Sequence, residues 1–231
     1  MNLNIPYMET DNKLLNDAYR IAAGDIVGNI VYYQNGLLTE EKPCMIAGLD
    51  YNTPWTRDTA INIWNALSIL SPEVSKNTLL AVLEEEEGNI YIGGQYWDSI
   101  IWMIGAREYC RFHKDDNFYR LAFEAGRNSV HRLEEDEFDE EDGLFRGPAV
   151  YGDGIAAYPD KYSKCPNQGS GILEWVDYPG NPVYPKGYGI PMKALSTNCV
   201  YFKAYEILAE MAHALGEPAK EFEEKAAAMK K

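Results

Sequence analysis

Asp50-Tyr51-Asn52-Thr53-Pro54-Trp55-Thr56-Arg57-Asp58 leads without a break into residues 57–70, where Ile61, Trp64, Ala66, Leu67 and Leu70 recur three and four residues apart. That period puts one apolar stripe on the inner face of an α-helix. The quoted segment, with Asp58 already in the helix, carries a proline, two aromatic rings and two carboxylates. It is a loop whose side chains suit a ligand better than a core.

Working outward from this entry, helical periodicity dominates. Residues 11–32 read as a first helix, with Leu14, Leu15, Ala18, Ile21, Ala22 and Ile26 on one face. A loop with Pro43, Gly48 and Pro54 connects it to the helix over 57–70. Ser71-Pro72-Glu73 is an N-cap followed by proline in the first turn. It starts a third helix that is expected to end near Glu84–Glu87 and Gly88. Residues 89–95 are turn-like, with Asn89-Ile90-Tyr91-Ile92 as a short extended piece. A fourth helix covers about 96–112, with Trp97, Ile100, Ile101 and Ile104 spaced for one face. Asp115 or Asp116 caps a fifth over about 117–134. The stretch 135–194 is long and irregular, with Val183-Tyr184 as a second extended piece. A sixth helix over about 196–214 carries Val200, Ala204, Ile207, Leu208 and Met211 and stops at Gly216. Pro218 opens a seventh. The fold class that follows is all-α. The 231 residues suffice for one core, so 1–231 is expected to be a single domain.

The connections alternate between short ones and long ones rich in Trp, Tyr, Gly, Asp and Pro. Long connectors of this kind are usually functional. Aromatic residues are abundant, with 17 Tyr and 5 Trp. Such rings suit the C–H faces of sugars, and they also fill cores with their polar tips bonded. The net charge of −15 repels phosphate backbones and anionic lipid, so nucleic acid and membranes are poor partners, whereas a neutral substrate feels no such repulsion. No run approaches the length of a membrane-spanning helix. The N-terminal residues lack the continuous apolar segment of a signal peptide, which makes the cytoplasm the expected location. Cys44, Cys110, Cys165 and Cys199 are widely spaced, which disfavours zinc and dithiol redox chemistry and fits reduced thiols. His113, His131 and His213 show no zinc spacing. There is no phosphate loop and no nucleophile elbow. No metal and no cofactor is expected.

The Trp55-Thr56-Arg57-Asp58 entry resembles the Trp-x-x-Asp or Trp-x-Arg-Asp entry to an inner helix in the six-hairpin glycosidase superfamily, a group that includes trehalases, processing α-glucosidase I and glucoamylases. Gly94-Gln95-Tyr96-Trp97-Asp98 repeats the theme one hairpin later. Asp142-Gly143-Leu144-Phe145-Arg146-Gly147-Pro148, running on to Tyr151-Gly152-Asp153-Gly154-Ile155, is a third match. Leu195-Ser196-Thr197-Asn198 with Tyr201 and Tyr205 is similar to the inner helix after the catalytic-acid loop. The likeness is nearest to the α-glucosidase I and trehalase branch.

This resemblance implies helical hairpins of an (α/α)6 toroid whose long connectors meet at one mouth. It also implies an inverting glycoside hydrolase acting on an α-glucoside or related oligosaccharide. Its general acid lies between the fifth and sixth helices and its base much later. Seven helices fall short of a full toroid, so a missing C-terminal half or a second copy of the chain is expected to complete it.

Glycoside cleavage needs two carboxyl groups about the scissile bond, roughly 6.5–9.5 Å apart in an inverting enzyme. The acid must keep its proton near neutral pH, which calls for partial desolvation. Asp153, flanked by glycines, and Asp177, in Trp175-Val176-Asp177-Tyr178-Pro179, are the two candidates for it, with Glu174 and Asp142 behind them. The bland reading of Asp153 is a turn residue. Trp55, Arg57, Asp58, Tyr96, Trp97, Asp98, Arg146 and Trp175 are expected to bind substrate. Against this, Asp58 also suits a helix cap, Trp97 also fits an apolar face, and Arg146 suits a pair with a loop carboxylate. The acidic run Glu134–Asp142 reads as a solvated loop, without the calcium-loop pattern. Two other functions stand beside hydrolysis. One is a sugar epimerase on a similar toroid, which would need histidines in these connectors. The other is a catalytically silent carbohydrate-binding chain.

Overall fold

The computed structural model describes residues 5–94, 97–150 and 192–230. Among these the protein is mostly helical, 60% of it, with seven helices and only short strands. The helices are α1 (Lys13–Gly28), α2, α3 (Pro72–Ala81), α4 (Asp98–Phe112), α5 (Asp116–Glu137), α6 (Leu195–Leu215) and α7 (Lys220–Met229). Helix α2 is continuous from Thr56–Asn62 through a π-helical stretch, Ile63–Leu67, to Ser68–Leu70. No helix among the described residues is long and apolar enough to cross a membrane.

Local chemistry sets most of these boundaries. The Asn12 side chain accepts from the amides of Leu14 and Leu15 and starts α1. Ser71 caps α3 through Val74 N–H, with Pro72 in its first turn. Asp115 accepts from the Phe118 amide at the start of α5. Gly216, in the left-handed region at φ 72°, ends α6, and the Glu217 amide returns to Ala212 O at 2.9 Å.

Three antiparallel hairpins accompany the helices: β1 (Ile30–Tyr33) with β2 (Lys42–Met45), β3 (Leu83–Glu86) with β4 (Asn89–Ile92), and β5 (Phe138–Asp139) with β6 (Leu144–Phe145). Two expected helix ends are corrected by them. The first helix stops at Gly28 instead of running to 32, because Ile30–Tyr33 pair with Lys42–Met45. The third stops at Ala81, and Leu83–Glu86 are strand. The β3–β4 turn places both Glu87 (φ 51°) and Gly88 (φ 80°) in the left-handed region, the pattern of a type I′ turn.

The chain divides into two compact units, where the length alone suggested one domain. Unit 1 comprises Met1–Gly94 with Ile101–Ala125, and unit 2 comprises Gln95–Ile100 with Gly126–Lys231. In unit 1, Ile63, Leu67, Val74, Leu79, Trp102, Met103 and Phe118 form the buried interior. The Trp102 indole donates to Leu79 O at 3.3 Å, so its one polar atom is satisfied inside the core. The β1–β2 hairpin is tied to α3 by the Met45 amide, which donates to Thr78 Oγ1 at 3.0 Å. Two expected faces differ from the structure. Trp64 was placed inward, yet it is exposed while Ile63 and Leu67 are buried. The π-helical residues shift the register of the buried stripe at that point. In α1 no residue is buried, and Leu14 and Ile21 stand exposed. Periodicity specifies a face but not what covers it.

Helices α2 and α4 approach closely at Gly105. A Cβ at that position would lie 2.8 Å from Ala60 Cα and 3.0 Å from Ala60 O. Gly105→Val is therefore expected to cost about 1–3 kcal/mol through overpacking. A urea midpoint equal to that of the unsubstituted protein would contradict the close approach.

In unit 2, Phe145, Tyr201, Ile207, Leu208, Met211 and Phe222 are buried. Phe145 and Tyr201 stack with ring centroids 3.6 Å apart and planes 4° from parallel. Asn198 treats Phe145 as a strand would. Its Oδ1 accepts from the Phe145 amide at 2.8 Å, and its Nδ2 donates to Phe145 O at 3.0 Å.

Candidate functional site

Trp55 occupies the N-cap position of α2 with extended backbone (φ −105°, ψ 138°), and its side chain makes no capping hydrogen bond. Asp58 lies in the first turn, where the positive end of the helix favours a carboxylate. Trp55 is 43% exposed and meets the Tyr51 ring edge-on, with centroids 6.0 Å apart. Arg57 and Asp58 are half-buried beside it. Thr56, between Trp55 and Arg57, is buried and donates from Oγ1 to Gly93 O at 2.8 Å, which ties the entry to the end of the β3–β4 hairpin. The result in unit 1 is an open aromatic pair next to a fixed cation and carboxylate.

In unit 2, Trp97 is 1% exposed, so its ring faces protein, and Asp98 is buried at the start of α4. Arg146 takes the loop-carboxylate alternative: its Nη2 lies 2.7 Å from Asp139 Oδ2, which also receives Lys193 Nζ at 2.8 Å. Lys193 also pairs with Asp142. Tyr96, Asp153, Asp177, Glu174 and Trp175 lie outside the described residues.

The acidic run 134–142 is not the solvated loop expected of it. Its first part completes α5 and its second forms the β5–β6 hairpin. Within it, Glu137 is the perturbed group. One of its carboxylate oxygens is buried and has no hydrogen-bond partner. Burial, reinforced by neighbouring Asp136 and opposed by Arg146, pushes its carboxyl up to about 8. A carboxyl that keeps its proton at neutral pH is what acid catalysis requires, and nothing in the residue spacing marked Glu137 out.

A second cluster joins α5 to the α6–α7 hairpin. The Tyr205 hydroxyl donates to Glu134 Oε1 at 2.6 Å. Lys225 Nζ lies 2.7 Å from Glu134 Oε1 and 2.6 Å from Glu221 Oε1, and His131 Nε2 is 2.9 Å from the same Glu221 oxygen. His131, Glu134 and Glu221 offer donor atoms that all lie within 4.8 Å of one another, a set that a metal ion could use. The Lys225 ammonium already bridges both of its carboxylates and offsets one of their two charges. The cluster borders a cavity of about 760 Å³ whose lining also includes Phe138, Leu144, Ala228 and Met229.

Two of the thiols offer little chemistry. Burial pushes both Cys44 and Cys110 up to about 12, far from the thiolate that nucleophilic work needs.

No family model matches the chain, and no curated protein or solved structure matches it either.

Proposed function

We propose that the chain is the catalytic-acid part of an inverting glycoside hydrolase acting on an α-glucoside or related oligosaccharide. Its helices are read as hairpins of an incomplete (α/α)6 toroid, with the long connectors gathered at one mouth. The observation that carries this reading is the α2 entry: an exposed Trp55 set edge-on to Tyr51, with Arg57 and Asp58 in the first turn of the helix. The ring supplies a stacking face for a pyranose. Asp58 accepts from sugar hydroxyls, and Arg57 donates. Tyr96 and Trp175 are read as binding substrate as well, whereas Trp97 and Asp98 are buried and Arg146 is paired with Asp139. Asp153 is the first choice for proton donor and Asp177 the second.

Hydrolysis of aryl α-glucosides and trehalose by the full-length protein tests the reading, with Asp153→Asn and Asp177→Asn as variants. Loss of the acid lowers turnover by about 10²–10⁴-fold in whichever variant removes it. Binding without turnover, unchanged in both variants, would instead describe a carbohydrate-binding chain. Trp55→Ala is expected to weaken binding of the same glycosides about tenfold, the scale of one lost aromatic contact. Unaltered affinity in a titration would remove Trp55 from the site.

A further inference from the structure

We propose that the unit 2 cavity is a binding site for a small organic cation with an apolar body, such as a protonated arylalkylamine. Its volume of about 760 Å³ falls in the range of small-molecule sites. Phe138, Leu144, Ala228 and Met229 supply apolar wall. The polar lining is strongly one-sided. Glu134, Glu135, Glu140 and Asp142 stand against Lys225, the one lysine or arginine among the described lining residues, so their charges sum to −3.

The pairing of these groups sharpens the argument. Lys225 is held between Glu134 and Glu221, so its charge is spent. Asp142 is paired with Lys193. Glu135 and Glu140 are exposed and carry no ion pair or hydrogen bond among the described residues. Two unneutralised carboxylates therefore border an apolar wall that includes an aromatic ring. An anion is repelled there, and a neutral ligand leaves both carboxylates as they are. A cation gains from both, and from the Phe138 face where its ammonium reaches it. The site lies wholly within unit 2 and does not use the Trp55 entry, so it stands or falls separately from the glycosidase reading.

The experiment compares phenethylamine, 2-phenylethanol and phenylacetate, three ligands of similar shape and different charge. Each is titrated calorimetrically into the full chain at low salt. Phenethylamine is expected to bind at least tenfold more tightly than 2-phenylethanol, with phenylacetate weakest. Glu135→Gln with Glu140→Gln is expected to erase the preference for the amine while 2-phenylethanol keeps its affinity. Ala228→Trp, which fills the cavity from an exposed helical position, is expected to abolish binding of both. Absence of phenethylamine binding, equal affinity for the three ligands, or affinities unchanged in either variant would overturn the proposal. Circular dichroism of both variants confirms that their folds are intact, since all three positions are exposed.

Discussion

Replacing Asn198 by alanine is expected to destabilise unit 2 by about 2–4 kcal/mol. The Asn198 amide satisfies the amide and the carbonyl of Phe145, at 2.8 and 3.0 Å. Phe145 is fully buried, and its ring lies against Tyr201. Truncation strands a donor and an acceptor away from water, each costing roughly 1–3 kcal/mol, while relaxation recovers part. Asn198→Asp keeps the acceptor and loses the donor, so it too is expected to weaken the unit, with the added cost of a buried charge. Urea denaturation followed by tyrosine fluorescence measures both. A loss below about 0.5 kcal/mol in the alanine variant would mean that the β5–β6 hairpin does not depend on this bond pair.

Glu137→Gln is expected to change how stability depends on pH. The folded carboxyl titrates at about 8, against an ordinary value of 4.5. Below pH 4.5 it is protonated in both the folded and the unfolded chain, and it costs nothing. Between 4.5 and about 8 the unfolded chain releases the proton while the folded chain holds it. Stability then falls as pH rises, by up to about 1.4 kcal/mol per pH unit. Above about 8 both forms are ionised and the penalty is complete. Glutamine cannot ionise, so this part of the slope disappears. At pH 9 the variant is expected to be more stable than the unsubstituted protein, on the order of 3 kcal/mol once partial solvent access is allowed for. Parallel pH profiles for the two proteins between pH 5 and 9 would contradict the assignment.

The Glu137 effect falls where the sequence was hardest to read, and the reasons are physical. Helices were legible because period and caps agreed along short stretches: Ser71-Pro72 before α3, Asp115 before α5, Gly216 after α6. The β1–β2 hairpin was not, since Ile30–Tyr33 carry no local sign that Lys42–Met45 will pair with them. Leu83–Glu86 read as the acidic end of a helix, and only pairing with Asn89–Ile92 makes them strand. Trp64 was turned inward by a 3.6-residue rule that the π-helical residues break.

The candidate site divides the same way. The Trp55 entry stood out because its aromatic and charged residues are adjacent in sequence. Arg146 was correctly weighed as a partner for a loop carboxylate, which proves to be Asp139. Glu137 was hidden in a run of acids whose composition signals solvent, and its burial comes from tertiary packing. His131, Glu134, Glu221 and Lys225 meet only because α7 packs back on α5, some 90 residues later. No spacing rule reaches that far.

The most direct test of the central reading is the anomeric form of the first sugar released. Full-length protein is incubated with an aryl α-glucoside, and the anomeric protons are followed by nuclear magnetic resonance before mutarotation. The account predicts that β-glucose appears first and that its release is lost in Asp153→Asn or Asp177→Asn. Release of α-glucose, or of no sugar from any glycoside in the panel, would contradict it.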